Sequence, residues 1–235
     1  MFENALILAG GLGKRLRPLT HAIPKPLLPV GEKPIIEKII EDMRSQGIVN
    51  FYISVNYKGE MIKNYLKDGE SLGVNIEYIE EDKFTGTAGS IINLPDELNE
   101  DMVICNGDVI NNVDFQKVFD LLHKNDFDFV ITSIKKGNYI DFGVLEFDND
   151  SKQLNSWKEK PTQYFNLNAG IYGIRKETIK FIKEKMEKNT KLDMPDFWEF
   201  LMKNNKKIGI YEHNGEWVDI GRINDYLEIH KGEEN

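Results

Sequence analysis

Short apolar runs alternating with segments of helical period fill the first half of this chain, and they leave it very few folds to adopt. Ala5-Leu6-Ile7-Leu8-Ala9 is an apolar run of strand length, and residues 34–43 then repeat their apolar positions at helical spacing and stop near Gly47. Residues 51–57 read as the next strand, 60–67 as a helix closed by Gly69, and 74–80 as an alternating strand. The series continues with a helix over 87–93 opened by Gly86, a strand over 101–106, a helix over 115–124 and a strand over 127–133. Strands separated by helices need crossover connections, which make neighbouring strands parallel and lay helices on both faces of the sheet. The expected fold class is therefore α/β, with a mainly parallel (mixed) sheet flanked by helices.

The second half is less regular. Residues 143–147 and 154–160 read as antiparallel strands joined by the turn Asp148-Asn149-Asp150-Ser151, and 168–175 as a further strand. Helices are expected at 177–188 and 195–204. A hairpin is expected between 207–211 and 216–220 through Asn214-Gly215, and a short helix at 225–230. With no linker, repeat or low-complexity stretch, residues 1–235 read as a single domain carrying a small antiparallel insertion.

Between the first strand and the first helix, Leu8-Ala9-Gly10-Gly11-Leu12-Gly13 runs into Lys14, Arg15, Arg17 and, within Pro24-Lys25-Pro26, Lys25. Glycines 10, 11 and 13 carry no side chains, so backbone N–H groups can approach phosphate oxygens, and no acidic residue stands among the four cations. A nucleoside triphosphate suits such a loop. It is not a P-loop, because Leu8 occupies the place of the first glycine and Arg15 that of the Ser/Thr. Nor is it the dinucleotide fingerprint, because Arg15 replaces the third glycine and the strand over 51–57 ends without an acid.

Composition narrows the partners. The chain has 235 residues, 40% hydrophobic and 29% charged, with a net charge of −9. That charge argues against nucleic acid, whose binding rests on basic patches, and makes a locally basic loop stand out as a small-anion site. No apolar run approaches bilayer length and the start lacks the pattern of a secretory leader, so no membrane is expected and a cytoplasmic location is. The single cysteine, Cys105, sits in an apolar strand and reads as a buried hydrophobe. Phe197, Trp198 and Phe200 read as core, and Trp157 as packed beneath the strand that carries Glu159. Histidines 21, 123, 213 and 230 lack metal-ligand spacing and read as surface residues.

Two carboxylates stand out. Asp108 follows a strand in Asn106-Gly107-Asp108, at the end of a parallel sheet where ligands bind, although Asn-Gly-Asp is also a common turn. Asp219 lies in Trp217-Val218-Asp219-Ile220-Gly221, between aliphatic residues that make its burial costly unless it is paired or metal-bound. Mg²⁺ is held by one or two carboxylates plus substrate phosphates, and such a pair fits it.

Gly-Gly-x-Gly-x-Arg-Leu-x-Pro-Leu-Thr followed by Pro-Lys-Pro resembles the signature of the sugar-1-phosphate nucleotidyltransferases, the nucleotide-sugar pyrophosphorylases, and the short guanylyltransferase-type members in particular. The resemblance covers nearly the whole chain and implies a Rossmann-like sheet, with a nucleotide-binding half over 1–133 and a sugar-binding half over 134–235. It implies that Asp108 and Asp219 hold Mg²⁺ together, that Arg15 and the loop amides hold the β- and γ-phosphates, and that Lys25 serves the α-phosphate and the attacking phosphate. Arg15, Lys25, Asp108 and Asp219 are then the catalytic set. Leu8, Ala9, Gly10, Gly11, Gly13, Lys14, Glu81, Gly86 and Thr87 are the nucleotide-binding set. Gly143, Glu159, Lys160, Asn168, Gly170 and Trp217 are the sugar-binding set. The implied reaction joins an NTP and a sugar 1-phosphate to give an NDP-sugar for cell-surface glycans, with pyrophosphate released.

The base and the sugar stay open. Glu81 falls where relatives read the base, and a carboxylate accepts well from the two adjacent donors of guanine but poorly from uracil or thymine, which favours GTP over UTP or dTTP. The same triplet, Glu80-Glu81-Asp82, also reads as a solvated acidic loop. Mannose, glucosamine or a heptose 1-phosphate all suit the sugar site, and a homo-oligomer is a common outcome for such enzymes. Lys14 stands where many relatives have Thr or Ser. A regulatory or acetyltransferase extension is not expected. A glycosyltransferase would want an Asp-x-Asp motif, whereas Val109 and Ile110 follow Asp108; a non-catalytic regulator would not need all four catalytic residues.

Overall fold

The apolar run near the start becomes a central strand. β1 (Asn4–Leu8) carries Ala5 and Ile7 on one face and Leu6 on the other, all fully buried. After the glycine loop come the two-residue strands β2 (Pro29–Val30) and β3 (Lys33–Pro34), then α1 (Ile35–Ser45), β4 (Asn50–Val55), α2 (Gly59–Leu66), β5 (Asn75–Glu80) and α3 (Gly86–Ile92). Next are β6 (Met102–Asn106), β7 (Val109–Asn111), α4 (Phe115–Lys124) and β8 (Phe129–Tyr139). The remainder comprises β9 (Val144–Phe147), β10 (Leu154–Lys158), β11 (Thr162–Ile174), α5 (Lys176–Lys185), α6 (Met194–Lys203), β12 (Ile208–His213), β13 (Trp217–Asp219) and α7 (Ile223–Glu233). This computed structural model describes residues 1–81 and 83–233, and only the backbone for 230–233. Asp82 and the side chain of His230, both part of the sequence expectations, therefore lie outside the described residues.

Seven strands form the main sheet in the order β12-β8-β11-β6-β1-β4-β5. The pairs β1–β4, β1–β6, β4–β5 and β12–β8 are parallel, and β11 runs antiparallel to both β6 and β8. Helices cover both faces because their apolar stripes repeat at helical spacing: Ile35, Ile36, Ile39, Ile40 and Met43 of α1 pack on one face with side chains of α2 and α4. Ala88, Ile91 and Ile92 of α3 pack on the other with α5 and α6. Asp114 opens α4, its side chain accepting the Lys117 N–H at 3.1 Å. Phe197 is fully buried, Trp198 and Phe200 pack partly buried against the same cluster, and Cys105 is enclosed, its thiol pKa pushed up by burial.

Three expectations are corrected. The segments 207–211 and 216–220 form no hairpin: β12 adds in parallel to the sheet edge beside β8, while β13 pairs antiparallel with β7. The non-local partners win because β8 offers an unpaired edge and β7 a ladder for β13, whereas a hairpin would leave both open. The strands β8 and β11 run several residues past the sheet as an exposed ribbon, Lys135 to Tyr139 against Thr162 to Asn166. Trp157 does not pack beneath its strand but stands in solvent on the separate β9–β10 ribbon.

Candidate active site

The glycine loop leaves β1 at the carboxyl end of the sheet. The Ala9 N–H donates to the Ser54 carbonyl at 3.0 Å, which holds the loop against the end of β4. Gly13 takes a left-handed conformation (φ 58°), and a Cβ there would lie 2.8 Å from Thr20 Cγ2. The Thr20 hydroxyl donates to the Gly13 carbonyl at 2.9 Å, and the Leu16 N–H donates to the same oxygen at 3.0 Å. Gly11 is different. A Cβ there would meet nothing within 4 Å, so no neighbour in the protein demands a glycine, and its empty side lines a cavity.

Asp108, near the middle of the chain, and Asp219, near its end, come to one place. The Gly107 N–H donates to the Leu8 carbonyl at 3.0 Å, and a Cβ on Gly107 would sit 2.9 Å from that oxygen, so this close approach sets where Asp108 emerges. The β7–β13 pair places Asp219 opposite Val109, and the Ile220 N–H donates to the Asp108 carbonyl at 3.1 Å. Lys25, buried in a short helical turn, donates its Nζ to Asp108 Oδ2 and stands 3.9 Å from Asp219 Oδ1. Burial, and then the charge of Asp108, push the Asp219 pKa up, while Lys25 and Arg15 oppose the shift. A Cβ on Gly221 would lie 3.0 Å from Asp219 Oδ2 and 3.4 Å from a guanidinium nitrogen of Arg15, so Arg15 reaches the same point.

Two cavities meet here. One of about 240 Å³ is lined by the glycine loop from Leu8 to Leu16, by Lys25 and by Asp108. A wider cleft of about 940 Å³ is lined by Trp217, Asp219, Arg222, Lys135, Lys136 and His213, among others. Arg15 and Gly221 belong to both. The smaller space offers cations and backbone N–H groups to an anion, and the carboxylates at its edge attract a cation. Among the described residues no three His, Cys, Asp or Glu side chains cluster as a metal cage.

The nucleotidyl transferase family profile matches residues 4–235. The chain belongs to the nucleotidyl transferase family. It is similar to a bifunctional protein GlmU of Methanocaldococcus jannaschii, 32% identical over 97% of this chain and 53% of that protein. It is also similar to a mannose-1-phosphate guanyltransferase of Debaryomyces hansenii, 32% identical over 95% of this chain and 62% of that one. The chain thus spans just over half to three-fifths of the length of these curated relatives. The crystal structure of HddC from Yersinia pseudotuberculosis complexed with GMP-PN superimposes with a TM-score of 0.73 at 26% identity, covering 99% of this chain and all of that one. The resemblance to sugar-1-phosphate nucleotidyltransferases of guanylyltransferase type therefore holds along the full chain.

Within this family member the fold gathers Leu8, Ala9, Gly11, Gly13, Lys14, Arg15, Lys25 and Asp108 around the smaller cavity, and Arg15, Trp217 and Asp219 around the larger. Gly10 lies beside them, 3.4 Å from Asn56 Cβ if given a Cβ of its own. Other members of the expected set are placed elsewhere. Glu81 is buried: Oε1 accepts from the Ser54 and Ser90 hydroxyls at 2.7 and 2.6 Å, and Oε2 accepts the Thr85 N–H at 3.0 Å. Its carboxylate, expected either to read the base or to lie in a solvated loop, is engaged inside the protein by these three donors. Gly86 (φ 84°) backs onto the Leu192 carbonyl, 2.4 Å from where a Cβ would be, and the Thr87 hydroxyl accepts the Met194 N–H at 2.8 Å. Both serve the packing of α3 on α6.

The expected sugar-binding residues also divide. Asn168 stabilises a bulge in β11, accepting the Gly170 N–H at 3.0 Å and donating to the Tyr172 hydroxyl at 2.8 Å. Gly170 (φ 74°) sits where a Cβ would collide with the Asn106 amide, and the Trp217 Nε1–H donates to the Ala169 carbonyl at 2.8 Å. Gly143 lies against Glu159, and Lys160 pairs with Asp141 at 2.8 Å, away from both cavities. His213 is buried rather than superficial, its Nε2 3.1 Å from the Glu216 carbonyl. Lys135, Lys136 and Arg222 went unassigned in the sequence, although Lys-Lys at a strand end and Gly-Arg after Asp219 are the signals that mark them.

Proposed function

We propose that this chain transfers a nucleotidyl group from an NTP to a sugar 1-phosphate in the presence of Mg²⁺, releasing pyrophosphate and an NDP-sugar. The convergence of Lys25, Asp108 and Asp219 beside the open face of Gly11 carries the reading. The nucleophile, a phosphate monoester with a second pKa near 6, is ionised at neutral pH, so the chain needs no general base. It must instead hold two polyanions together and neutralise charge as the α-phosphorus is attacked. Arg15 and the N–H groups of the glycine loop hold the leaving pyrophosphate. Lys25 neutralises the α-phosphate and the approaching phosphate.

The oxygen donors of Asp108 and Asp219 suit a hard divalent ion: two carboxylates face one point already bridged by a cation, the Lys25 ammonium. Bound there, Mg²⁺ would supply Lewis-acid stabilisation of the reacting phosphates. The wide cleft with Lys135, Lys136 and Arg222 is the space for the sugar phosphate. GTP is the favoured donor. Its support is now the guanyltransferase relative and the guanine nucleotide held by the solved relative, since Glu81 faces inward.

The test is pyrophosphate release with Mg²⁺, crossing GTP, UTP, dTTP, CTP and ATP against hexose, aminosugar and heptose 1-phosphates. GTP with one sugar phosphate is expected to react, and Asp108→Asn or Asp219→Asn to lose about 100-fold or more in kcat. Release with UTP or dTTP alone would keep the reaction and discard the base assignment. Silence across the panel would overturn the reading.

A further inference from the structure

Two nearly buried polar side chains at the end of the sheet each keep one atom free. Ser133 of β8 and His213, the last residue of β12, are both 6% exposed. The His213 Nε2 lies 3.1 Å from the Glu216 carbonyl, which can only accept, so Nε2 carries a proton. In the neutral ring Nδ1 is then an acceptor. Among the described residues neither Nδ1 nor the Ser133 hydroxyl has a hydrogen-bond partner, and neither atom is sealed inside the protein. Polar groups this buried are paired as a rule, so these two await a partner from outside the chain.

Both residues line one cavity of about 320 Å³, together with Asn166, Glu212, Asn214 and the Tyr164–Lys135 pair. The register sets its side of the sheet. Ser133 pairs with Glu212 and Lys135 with Asn166, so these side chains share one face, while Ile134 and Lys136 project to the other face, that of the wide cleft. Lys135, His213 and Asn214 line both spaces, so the two meet where β12 ends.

We propose that this cavity receives the sugar of the acceptor, and that Ser133 and His213 read its hydroxyls. The inference rests on the proposed reaction. In the wide cleft Lys136 and Arg222 suit the phosphate end, but ammonium and guanidinium groups are donors only. The cavity adds what hydroxyls also need: acceptors in Nδ1 and the Glu212 carboxylate, a hydroxyl on Ser133, and amides on Asn166 and Asn214. Among the described residues none of these groups is hydrogen-bonded to the protein. At about 320 Å³ the space is at the small end of ligand pockets, which suits one ring and not a whole nucleotide. Gly143, Glu159 and Lys160, which the resemblance implies for the sugar, line none of these spaces.

Calorimetric titration of the whole chain tests this, in EDTA buffer with GTP present so that turnover plays no part. The probes are mannose 1-phosphate, glucosamine 1-phosphate and a heptose 1-phosphate, with inorganic phosphate reporting the phosphate end alone. Ser133→Ala removes a hydroxyl that holds nothing in the protein. His213→Gln keeps a donor for the Glu216 carbonyl and removes the ring nitrogen that faces the cavity. Each variant is expected to keep the wild-type Tm and to bind inorganic phosphate as wild type does. Each is expected to weaken the sugar 1-phosphate that wild type binds best by about 3–10-fold. Should His213→Gln lose Tm, Ser133→Ala decides. Wild-type affinity for that sugar phosphate in Ser133→Ala overturns the inference. So does an equal loss for inorganic phosphate, because the residue would then act on the phosphate cleft. A wild type that binds no sugar phosphate more tightly than inorganic phosphate overturns it too. Sensitive binding without pyrophosphate release once Mg²⁺ is restored would sink the proposed reaction and leave this site standing; release with unaltered binding would do the reverse.

Discussion

At the residue scale, Lys25 has two partners and one charge. Its ammonium sits between Asp108 and Asp219, two carboxylates close enough for the Asp108 charge to help raise the pKa of Asp219. Removing the cation leaves both anions partly buried and unneutralised, which is worth more than the pair's own attraction. Lys25→Met is therefore expected to lower stability by about 1–3 kcal/mol in metal-free buffer, and to lower kcat by about 100-fold or more. Added Mg²⁺ should raise the Tm of Lys25→Met more than that of wild type, because only the variant lacks its cation. Calorimetry with and without MgCl₂ checks this, and equal shifts in the two proteins would contradict it. A Cβ at Gly221 would press on both Asp219 and Arg15, which explains the glycine that ends the Asp219 motif.

At the element scale, Glu81 ties three pieces of chain together. It follows β5, its carboxylate accepts from Ser54 on β4 and Ser90 on α3, and it also takes the Thr85 N–H. The α3 end is fixed a second time, with the Ala88 N–H donating to the Leu192 carbonyl at 2.9 Å and the Leu192 N–H to Thr85 at 2.8 Å. Glu81→Ala leaves the Thr85 N–H without its acceptor and the Ser54 and Ser90 hydroxyls with only each other, 3.0 Å apart, and is expected to cost about 2 kcal/mol and about 4–8 °C in Tm for a domain of this size. The ratio of kcat/KM for GTP to that for UTP is expected not to change, because the carboxylate is already engaged by Ser54, Ser90 and the Thr85 N–H. Steady-state kinetics on both donors decides, and a collapse of that ratio would return Glu81 to base reading. A carboxylate between another acid and a loop looks solvated in one dimension. Only the approach of Ser54 and Ser90 turns it inward.

At the scale of the whole molecule, burial of tyrosines sets an alkaline limit. Burial pushes Tyr172 up to about 12, and Tyr78, which donates to the Lys67 carbonyl, also to about 12. An unfolded tyrosine ionises near 10. Below that value both states keep the proton and stability is complete. Between about 10 and 12 the unfolded chain releases protons that the folded chain retains, so stability falls as pH rises. Tyr172 alone accounts for about 3 kcal/mol of this loss, and Tyr172→Phe is expected to flatten the decline of Tm above pH 10, read beside tyrosinate absorbance. The order of strands and helices through residue 133 was legible in the sequence, because apolar period is a local property that tertiary contacts reinforce. So were the glycine loop and its cations, since Gly13 and the Pro-Lys-Pro segment act through their own backbone geometry. What only the tertiary structure decided was pairing: β13 left Asn214-Gly215 for β7 and brought Asp219 to Asp108, and Glu81 turned inward against Ser54 and Ser90. Each depends on partners distant in sequence, and a strand's own residues carry its faces but not the neighbour that will take its hydrogen bonds.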